Sequence, residues 1–350
     1  MFDRLIGNER AKETLRRMLR YGRVPGALLF VGEEAIGKKQ FAVEVAKALN
    51  CRASRGVEAC DECPSCVRLS RFPAATMNNS ETGKSIMWSE HRDVGLVRPE
   101  KRFIHVEQAR EMEREANFRP HEPGAAARVF IIEEADRLNE SSGNALLKTL
   151  EEMPSTTRFI LITSRPAGIL TTIRSRCQTI YFAPLSPTEI ENFLVKNKHR
   201  AGEEARLVAR LAGGRLGHAL TFNLDAYLEQ RDQMLTVLAA LCGGPQPDRA
   251  RLLRAAEDLN DPKRKDEYEI RLGVLETLIH DAWLLSLDPT TTKPGNTDIR
   301  DRLTTLSVQL DSRRASRWLE LIEQLRGQLA VNVNRKVATD ALFLSMASAT

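Results

Sequence analysis

The stretch from Ala27 to Asn50, ALLFVGEEAIGKKQFAVEVAKALN, constrains the fold of this 350-residue chain more than any other. It begins with a short apolar run typical of a buried strand, continues through a glycine-containing loop, and ends with the apolar spacing of a helix. Gly32, Gly37 and Lys38 fit the pattern glycine, four residues, glycine, lysine, which cradles phosphate groups between a strand and a helix. The sequence therefore predicts a phosphate-type loop within an α/β fold.

One position of this loop breaks the pattern. Lys39 stands where a serine or threonine hydroxyl would complete the coordination shell of magnesium. An ammonium group adds a second positive charge and offers no oxygen ligand, so we expect Mg²⁺ to be repelled. Binding of ATP or ADP without hydrolysis stays open, because Gly32, Gly37 and Lys38 could still hold phosphates. Alternatively, Lys39 caps an empty loop with its own charge.

A second apolar run, RVFIIEEAD, begins at Arg128 and ends in carboxylates. It resembles the acidic strand that faces such loops, where an aspartate supports magnesium and a glutamate orients the attacking water. Here Glu133 is one methylene longer than the aspartate, while Glu134 keeps the water-activating position. Both positions that would support magnesium, Lys39 and Glu133, are altered, which makes Glu134 vestigial. The alternative is that both glutamates are simply a solvated strand end.

Strands and helices alternate in the first half of the chain. A third apolar strand, RFILITS, begins at Arg158, and the helix-type segment SSGNALLKTLEEMPS precedes it. This alternation predicts a parallel sheet covered by helices on both faces. Residues 72–100, polar and rich in small side chains, are expected to form an exposed and mobile excursion.

After TIYFAPLSPTE the strand signal disappears, and nearly everything from Ser186 onward is expected to be helical. We therefore predict three domains. They are an α/β domain over 1–185 with a cysteine module at about 50–67, a small helical domain over 186–225, and an all-helical domain over 226–350.

Four cysteines, Cys51, Cys60, Cys63 and Cys66, fall within sixteen residues. Tight C-x-x-C turns can place pairs of thiolates on one tetrahedral zinc ion, and four protein ligands leave no open position. The spacing predicts a structural Zn²⁺ site rather than a catalytic one. Disulfides in an oxidising compartment and four unrelated reduced thiols are the alternatives. Cys177 and Cys242 are distant in sequence and are expected to be ordinary buried residues.

Composition excludes membrane-spanning and disordered classes of protein and leaves the partner open. Apolar residues make up 42% of the chain and charged residues 28%, which is ordinary for a globular protein. No apolar run reaches the roughly 18 residues of a membrane span, and charges near Met1 argue against a signal peptide, so a cytoplasmic protein without membrane contact is expected. A net charge of +5 permits a nucleic-acid partner without requiring one.

Five segments in order resemble the motifs of bacterial clamp-loader subunits of the AAA+ class, which serve DNA polymerase III. The segments are GALLFVGEEAIGKKQFAVEVAKAL, the four-cysteine insert, VFIIEEADRLNESSGNALLKTLEEMP, FILITSRPAGILTTIRSRCQTIYF and GGRLGHAL. The motif-bearing resemblance covers roughly residues 1–225. It implies an AAA+ domain with the zinc module, a helical lid and an all-helical collar. It also implies a hetero-pentamer, with gamma/tau and delta subunits as partners, that loads a sliding clamp onto primed DNA.

The family that the chain resembles includes subunits that hydrolyse ATP and subunits that do not, and this sequence resembles the second group. Aligning GGRLGHAL on its final Ala-Leu places Gly217 where motor subunits carry a second sensor arginine. Arg215 lies two positions away and is the candidate substitute. Thr163 or Ser164 would occupy the first sensor position.

Ser175, Arg176 and Cys177 form the SRC triplet of the family. The resemblance implies that Arg176 reaches the nucleotide site of a neighbouring subunit as an arginine finger, where a planar guanidinium can stabilise charge in phosphoryl transfer. The alternative is a surface arginine paired with some acid. Thr171 stands where the family usually has proline, which could slacken the turn.

We therefore expect a non-hydrolysing subunit that scaffolds the clamp loader and donates Arg176. An active gamma/tau-type ATPase and a lone zinc-containing DNA-binding protein are the alternatives. His91 is expected to be a loop residue rather than a catalyst, and Trp283 and Trp318 are expected to pack between helices.

Overall fold

The computed structural model of the protein describes residues 2–53, 57–73, 86–197, 199–242, 247–290, 293–329 and 333–348. The chain divides into two compact units. One unit comprises Met1–Phe193 with Gly213–Leu220, and the other comprises Leu194–Ala212 with Thr221–Thr350.

The first unit is built on a six-stranded sheet within the described residues. Its strands follow the order β2-β3-β4-β5-β1-β6, and all neighbours are parallel except the short edge strand β2, which runs antiparallel to β3. The strands are β1 (Ala27–Val31), β2 (Met87–Trp88), β3 (Val94–Val97), β4 (Arg128–Ile132), β5 (Thr157–Thr163) and β6 (Gln178–Tyr181). The pairing of Val31 with Thr163 brings the ends of β1 and β5 to one edge of the sheet, beside the loop after β1.

The central strands are buried on both faces because their side chains alternate between two hydrophobic clusters. Leu28 and Phe30 of β1 pack in a cluster with Phe41 and Val45, whereas Leu29 packs on the opposite side of the sheet. This double burial explains why the strands are continuous apolar runs in the sequence. The prediction of a parallel α/β sheet with flanking helices is confirmed.

Among the described residues, helices connect the strands and then continue to Ser348. The first nine are α1 (Glu9–Arg20), α2 (Lys38–Asn50), α3 (Pro64–Leu69), α4 (Val106–Ala116), α5 (Glu140–Glu151), α6 (Thr171–Arg174), α7 (Pro187–Lys196), α8 (Gly202–Leu211) and α9 (Leu216–Thr221). The start of α5 is fixed by Asn139, whose side-chain oxygen accepts from the Ser142 N–H at 2.8 Å. The predicted helix in SSGNALLKTLEEMPS is thus present.

Within its described residues, the second unit contains helices joined by loops and no strand. After α8 it contains α10 (Leu224–Cys242), α11 (Arg249–Leu259), α12 (Tyr268–Leu287), α13 (Arg300–Ser307), α14 (Ser312–Leu329) and α15 (Arg335–Ser348). Trp318 is fully buried at its centre, and its indole N–H donates to the Met346 carbonyl at 2.9 Å. Trp283 packs at the edge of the same cluster, so both tryptophans lie between helices as predicted. Across the described part of the chain, no helix has the length and apolarity needed to cross a membrane.

The prediction of an exposed excursion over residues 72–100 is wrong for its second half. Residues 94–97 form β3, an inner strand of the sheet, with buried valine and leucine side chains. Ile86 and Trp88 pack closely against Gly95 because it has no side chain. A Cβ on this glycine would lie 2.6 Å from Ile86 Cγ2. Residues 74–85, which contain the polar MNNSETGKS segment that prompted the prediction, lie outside the described residues.

Candidate functional site

Two glycines shape the loop between β1 and α2. A Cβ at Gly32 would lie 2.5 Å from the Phe182 carbonyl oxygen, so only glycine fits there. Gly37 precedes α2 with φ of 99°, in the left-handed region that favours glycine. Both predicted glycines are therefore required by the geometry of the loop.

Lys38 is turned onto the loop itself. Its ammonium donates to the carbonyl oxygen of Gly32 at 2.5 Å and to the carbonyl oxygen of Glu33. The side chain is buried, and burial lowers the pKa of Lys38 to about 8, although nearby Glu34 and Asp136 oppose this shift. The lysine that would contact phosphate is thus held by backbone oxygens.

Lys39 lies beside Glu133, the first carboxylate of the acidic strand. Lys39 Nζ is 3.4 Å from Glu133 Oε1, and Arg98 Nε pairs with the other carboxylate oxygen. Burial lowers the pKa of Lys39, while the Glu133 charge partly restores it. The oxygens that a metal ion would need therefore face two cations.

Glu134 is directed to a different partner. It precedes a 3-10 turn over Ala135–Arg137, has φ of 49°, and its carboxylate lies 2.6 Å from Arg137 Nε. Both glutamates of the acidic pair are consequently engaged with cations of the same chain, which explains how two adjacent carboxylates are accommodated at one strand end.

The two candidates for the first sensor differ in their contacts. Thr163, at the end of β5, is buried and its hydroxyl donates to Asp136 Oδ1 at 2.6 Å. Ser164 follows it, and its hydroxyl donates to Glu34 Oε1 at 3.3 Å. Ser164 therefore contacts the phosphate-type loop, whereas Thr163 is tied to the turn that follows the acidic strand.

Gly217 approaches the phosphate-type loop closely. Its backbone N–H donates to the Ala35 carbonyl oxygen at 2.8 Å, and a Cβ at this position would lie 3.1 Å from Ala35 Cβ. A side chain at position 217 would therefore require the loop to shift slightly at Ala35. This close packing favours glycine at the position that the family resemblance aligns with the second sensor arginine.

A cavity of about 590 Å³ opens over the phosphate-type loop. Three acidic and four basic side chains line it. Its lining residues are Glu34, Ala35, Gly37, Lys38, Lys39, Gln40, Arg98, Glu133, Glu134, Arg137, Ile162, Thr163 and Ser164. The structure thus brings together the predicted Gly37, Lys38, Lys39, Glu133 and Glu134. The volume is sufficient for a small ligand, and its walls carry charges that are mostly paired with one another.

Arg176 lies elsewhere on the same unit, after α6 and before β6. Its Nη1 donates to the Thr172 carbonyl oxygen at 2.9 Å, and its Nη2 pairs with the carboxylate of Glu151. The side chain is 37% exposed. Thr171 begins α6, and its carbonyl accepts the Ser175 N–H at 2.9 Å, so the turn is closed by hydrogen bonds without the family's proline.

The four clustered cysteines converge. The sulfur atoms of Cys51, Cys60, Cys63 and Cys66 all lie within 4.8 Å of one another. Backbone N–H groups point at them, as in the contact of Cys60 N with Cys51 Sγ at 3.3 Å and of Cys63 N with Cys60 Sγ at 3.2 Å. Burial raises the pKa of the Cys63 thiol, but hydrogen bonds with backbone N–H groups and with the Cys66 and Cys60 side chains together bring the pKa to about 6. Four converging sulfurs, one of them readily ionised, could hold a zinc ion.

Cys177 and Cys242 lie outside this cluster; Cys242 is buried as predicted, whereas Cys177 is half-buried. Burial raises the pKa of each to about 11, as expected for thiols with a packing role.

The cysteine module is tied to the sheet through buried polar groups. Ser65 in α3 donates to the Asn50 carbonyl at 2.8 Å and contacts His91 Nε2 at 2.8 Å. His91 lies in the turn between β2 and β3 and is fully buried. The expected loop placement is found, and burial leaves this histidine without access to a substrate.

Three residues of the site were missed from the sequence. Arg98 follows β3, Arg137 follows the acidic strand by one turn, and Glu151 ends α5, 25 positions before Arg176. Recognising VGLV as a strand would have placed Arg98 beside Glu133, because parallel neighbours end at the same sheet edge. No local pattern connects Glu151 with Arg176.

Comparisons with known proteins identify the family of the chain. A model of the family described as DNA polymerase III, delta subunit matches residues 7–75 and 73–186, which together span 180 of the 350 residues. The chain is similar to DNA polymerase III subunit delta' of Escherichia coli (strain K12), at 28% identity over 328 residues. These cover 92% of this chain and 89% of that protein.

Relatives of two kinds are found. DNA polymerase III subunit delta' of Bacillus subtilis (strain 168) is 30% identical over 232 residues, covering 66% of this chain and 64% of that protein. DNA polymerase III subunit tau of Salmonella typhimurium is 28% identical over 305 residues, covering 82% of this chain but 44% of the tau subunit. Among solved structures, a gamma subunit-related protein of Thermotoga maritima aligns with a TM-score of 0.43 and 17% identity, covering 96% of this chain and 98% of that one.

Proposed function

The chain belongs to the family described as DNA polymerase III, delta subunit, and we propose that it is a delta-prime-type clamp-loader subunit that does not hydrolyse ATP. In this role it scaffolds a hetero-pentamer with gamma/tau and delta subunits and helps to load the sliding clamp onto primed DNA. Both delta' and tau subunits are among its relatives, so the choice between them rests on the chemistry of the nucleotide site.

The contact between Lys39 and Glu133 carries this proposal. Magnesium in a working site is held by the loop hydroxyl and a carboxylate, and it bridges the β- and γ-phosphates. In this chain an ammonium occupies the hydroxyl position, 3.4 Å from the carboxylate, and Arg98 holds the second oxygen. A divalent cation would have to displace two cations and would gain only one protein carboxylate.

The water-activating role is also compromised. Glu134 would have to accept a proton from the attacking water, but its carboxylate lies 2.6 Å from Arg137. The attacking water would therefore have to compete with the Arg137 guanidinium for this carboxylate. The alternative of an active gamma/tau-type ATPase would require both carboxylates to be released.

Arg176 supplies what the complex would need from this subunit. We propose that its guanidinium enters the nucleotide site of a neighbouring subunit and stabilises charge in phosphoryl transfer there. Its partial exposure and its place in a hydrogen-bonded turn support this role. Hydrolysis would then depend on assembly.

We further propose that Cys51, Cys60, Cys63 and Cys66 hold one structural Zn²⁺. The ion would fix the segment after α2 to the sheet and would take no part in phosphoryl transfer. The predicted roles of lid for 186–225 and collar for 226–350, together with a cytoplasmic location, complete the proposal. A lone zinc-containing DNA-binding protein has no specific support from the site.

The experiment is a clamp-loader complex reconstituted with Arg176→Ala in this subunit. We expect assembly to be retained and DNA-stimulated ATP hydrolysis at the neighbouring site that receives the finger to fall by about 10³-fold, since an arginine finger contributes roughly 10³–10⁵ to kcat. A mutant complex that hydrolyses ATP at the normal rate would show that Arg176 is not a finger.

A further inference from the structure

Arg176 is held by two groups of its own chain. Nη1 donates to the Thr172 carbonyl at 2.9 Å, and Nη2 pairs with the carboxylate of Glu151. We propose that Glu151 is a positioning residue, which fixes the Arg176 guanidinium in the orientation used in the neighbouring subunit's phosphoryl transfer. This inference rests on the proposed function of Arg176.

The position of Glu151 relative to Arg176 is set by buried packing. Glu151 ends α5, and α5 packs against the segment that leads into α6. Gly143 allows the close approach, because a Cβ there would lie 2.4 Å from Leu170 Cδ1 and 3.4 Å from Ile173 Cδ1. Ile173 is fully buried. The carboxylate therefore comes from the end of a helix that packs against the segment before Arg176.

The contact is suited to orientation more than to stability. Both side chains are partly exposed, 37% for Arg176 and 48% for Glu151, and exposed pairs contribute little to folding. An arginine side chain has many rotamers, however, and a small misplacement of a catalytic group can reduce a rate by about 100-fold. Because Glu151 holds one edge of the guanidinium before the neighbouring subunit docks, this loss of rate is avoided.

Enough donors remain for a phosphate. A guanidinium has five N–H groups in a planar fork. Thr172 and Glu151 each accept one, and a longer contact of 3.5 Å joins Nη1 to Ser175 Oγ. Phosphate oxygens could bind the remaining N–H groups while Glu151 stays in contact, so the carboxylate does not have to leave during the reaction.

The test compares Glu151→Gln with Glu152→Gln in the reconstituted complex. Both variants remove one negative charge, but Glu152 is the adjacent C-cap residue of α5, and the Arg176 ion pair is made by Glu151. We expect Glu151→Gln to lower kcat for DNA-stimulated ATP hydrolysis by about 10-fold, with KM for ATP changing less than about 2-fold. Glu152→Gln should stay within about 2-fold of wild type, and both should have wild-type melting temperatures.

A double-mutant cycle with Arg176→Ala separates positioning from a structural effect. If Glu151 acts through Arg176, the double variant is no slower than Arg176→Ala alone. A further loss in the double variant, or wild-type or faster hydrolysis by Glu151→Gln, would overturn the positioning role. Failure of Arg176→Ala itself to slow hydrolysis would overturn the proposed function, so the two failures are distinguishable.

Discussion

The ammonium of Lys39 lies 3.4 Å from the carboxylate of Glu133, and Arg98 pairs with the other oxygen of that carboxylate. These residues come from the start of α2, the end of β4 and the end of β3, which parallel pairing brings to one sheet edge. Two substitutions that are separate in the sequence are therefore one ion-pair cluster in the fold. In the proposed function, this cluster occupies the place where catalysis would require a divalent cation.

Replacing Lys39 should make nucleotide binding sensitive to magnesium. Wild type is expected to bind ATP equally weakly, or not at all, with and without Mg²⁺. Lys39→Thr removes the ammonium and supplies a hydroxyl ligand, so we expect ATP binding to be at least about 10-fold tighter with Mg²⁺ than with EDTA. Turnover should stay absent, because Arg98 still pairs with Glu133. Calorimetric titration measures both affinities.

The matched control is Lys148→Thr, which changes an exposed lysine of α5 in the same way. It should leave the magnesium response of wild type unchanged. An equal response in Lys39→Thr and wild type would mean that Lys39 does not exclude the metal.

The cysteine cluster predicts one zinc ion per chain. Cys63→Ser should abolish stoichiometric zinc and lower the melting temperature by on the order of 5–10 °C, because metal binding contributes directly to folding. Cys242→Ser is the control. Cys242 lies in α10, outside the cluster, so this variant should retain zinc. Elemental analysis and thermal unfolding provide the readouts. The structural role of zinc would be refuted if wild type contains no metal and its melting temperature does not change on EDTA treatment.

The buried Lys38 predicts a pH dependence of stability. Its pKa is about 8 in the folded chain and 10.5 ordinarily, so the unfolded chain binds more protons at this group between these values. The stability contributed by Lys38 should therefore rise from pH 8 to 10.5 and be lost as pH falls to 8. The unfolding free energy of Lys38→Met minus that of wild type should therefore be more positive at pH 7.5 than at pH 9.5.

Denaturant unfolding of both proteins at these two pH values is the measurement, and the comparison cancels groups that titrate identically in the two chains. A difference in unfolding free energy that is the same at both pH values would show that the Lys38 ammonium is not destabilised by burial.

The sequence predicted those parts of the fold whose patterns are local. Strand β1, its glycine loop and α2 were recognisable because an apolar run, fixed glycine spacing and helical periodicity follow one another. The family resemblance, based on the order of such segments, is confirmed by the family model. Strand β3 was missed because VGLV is short, contains a glycine and follows a polar segment. Ile86 and Trp88 pack against Gly95 in the folded chain, and this contact is not visible in the sequence pattern.

The contacts of the site were less predictable than its residues. Lys39 and Glu133 were each recognised as substitutions, but their ion pair depends on the three-dimensional register of β3, β4 and α2. Likewise, Arg176 was found from the SRC triplet, whereas its partner Glu151 could not be, since helix packing rather than sequence spacing brings them together. The roles of these residues remain predictions.

The most direct test of the account is steady-state ATP hydrolysis by the purified chain alone, with saturating ATP and Mg²⁺ and in the presence and absence of primed DNA. We predict no turnover above that of a Lys38→Ala variant prepared in parallel. Hydrolysis that requires Mg²⁺ and disappears in Lys38→Ala would contradict the claim that the Lys39–Glu133 pair has replaced the metal.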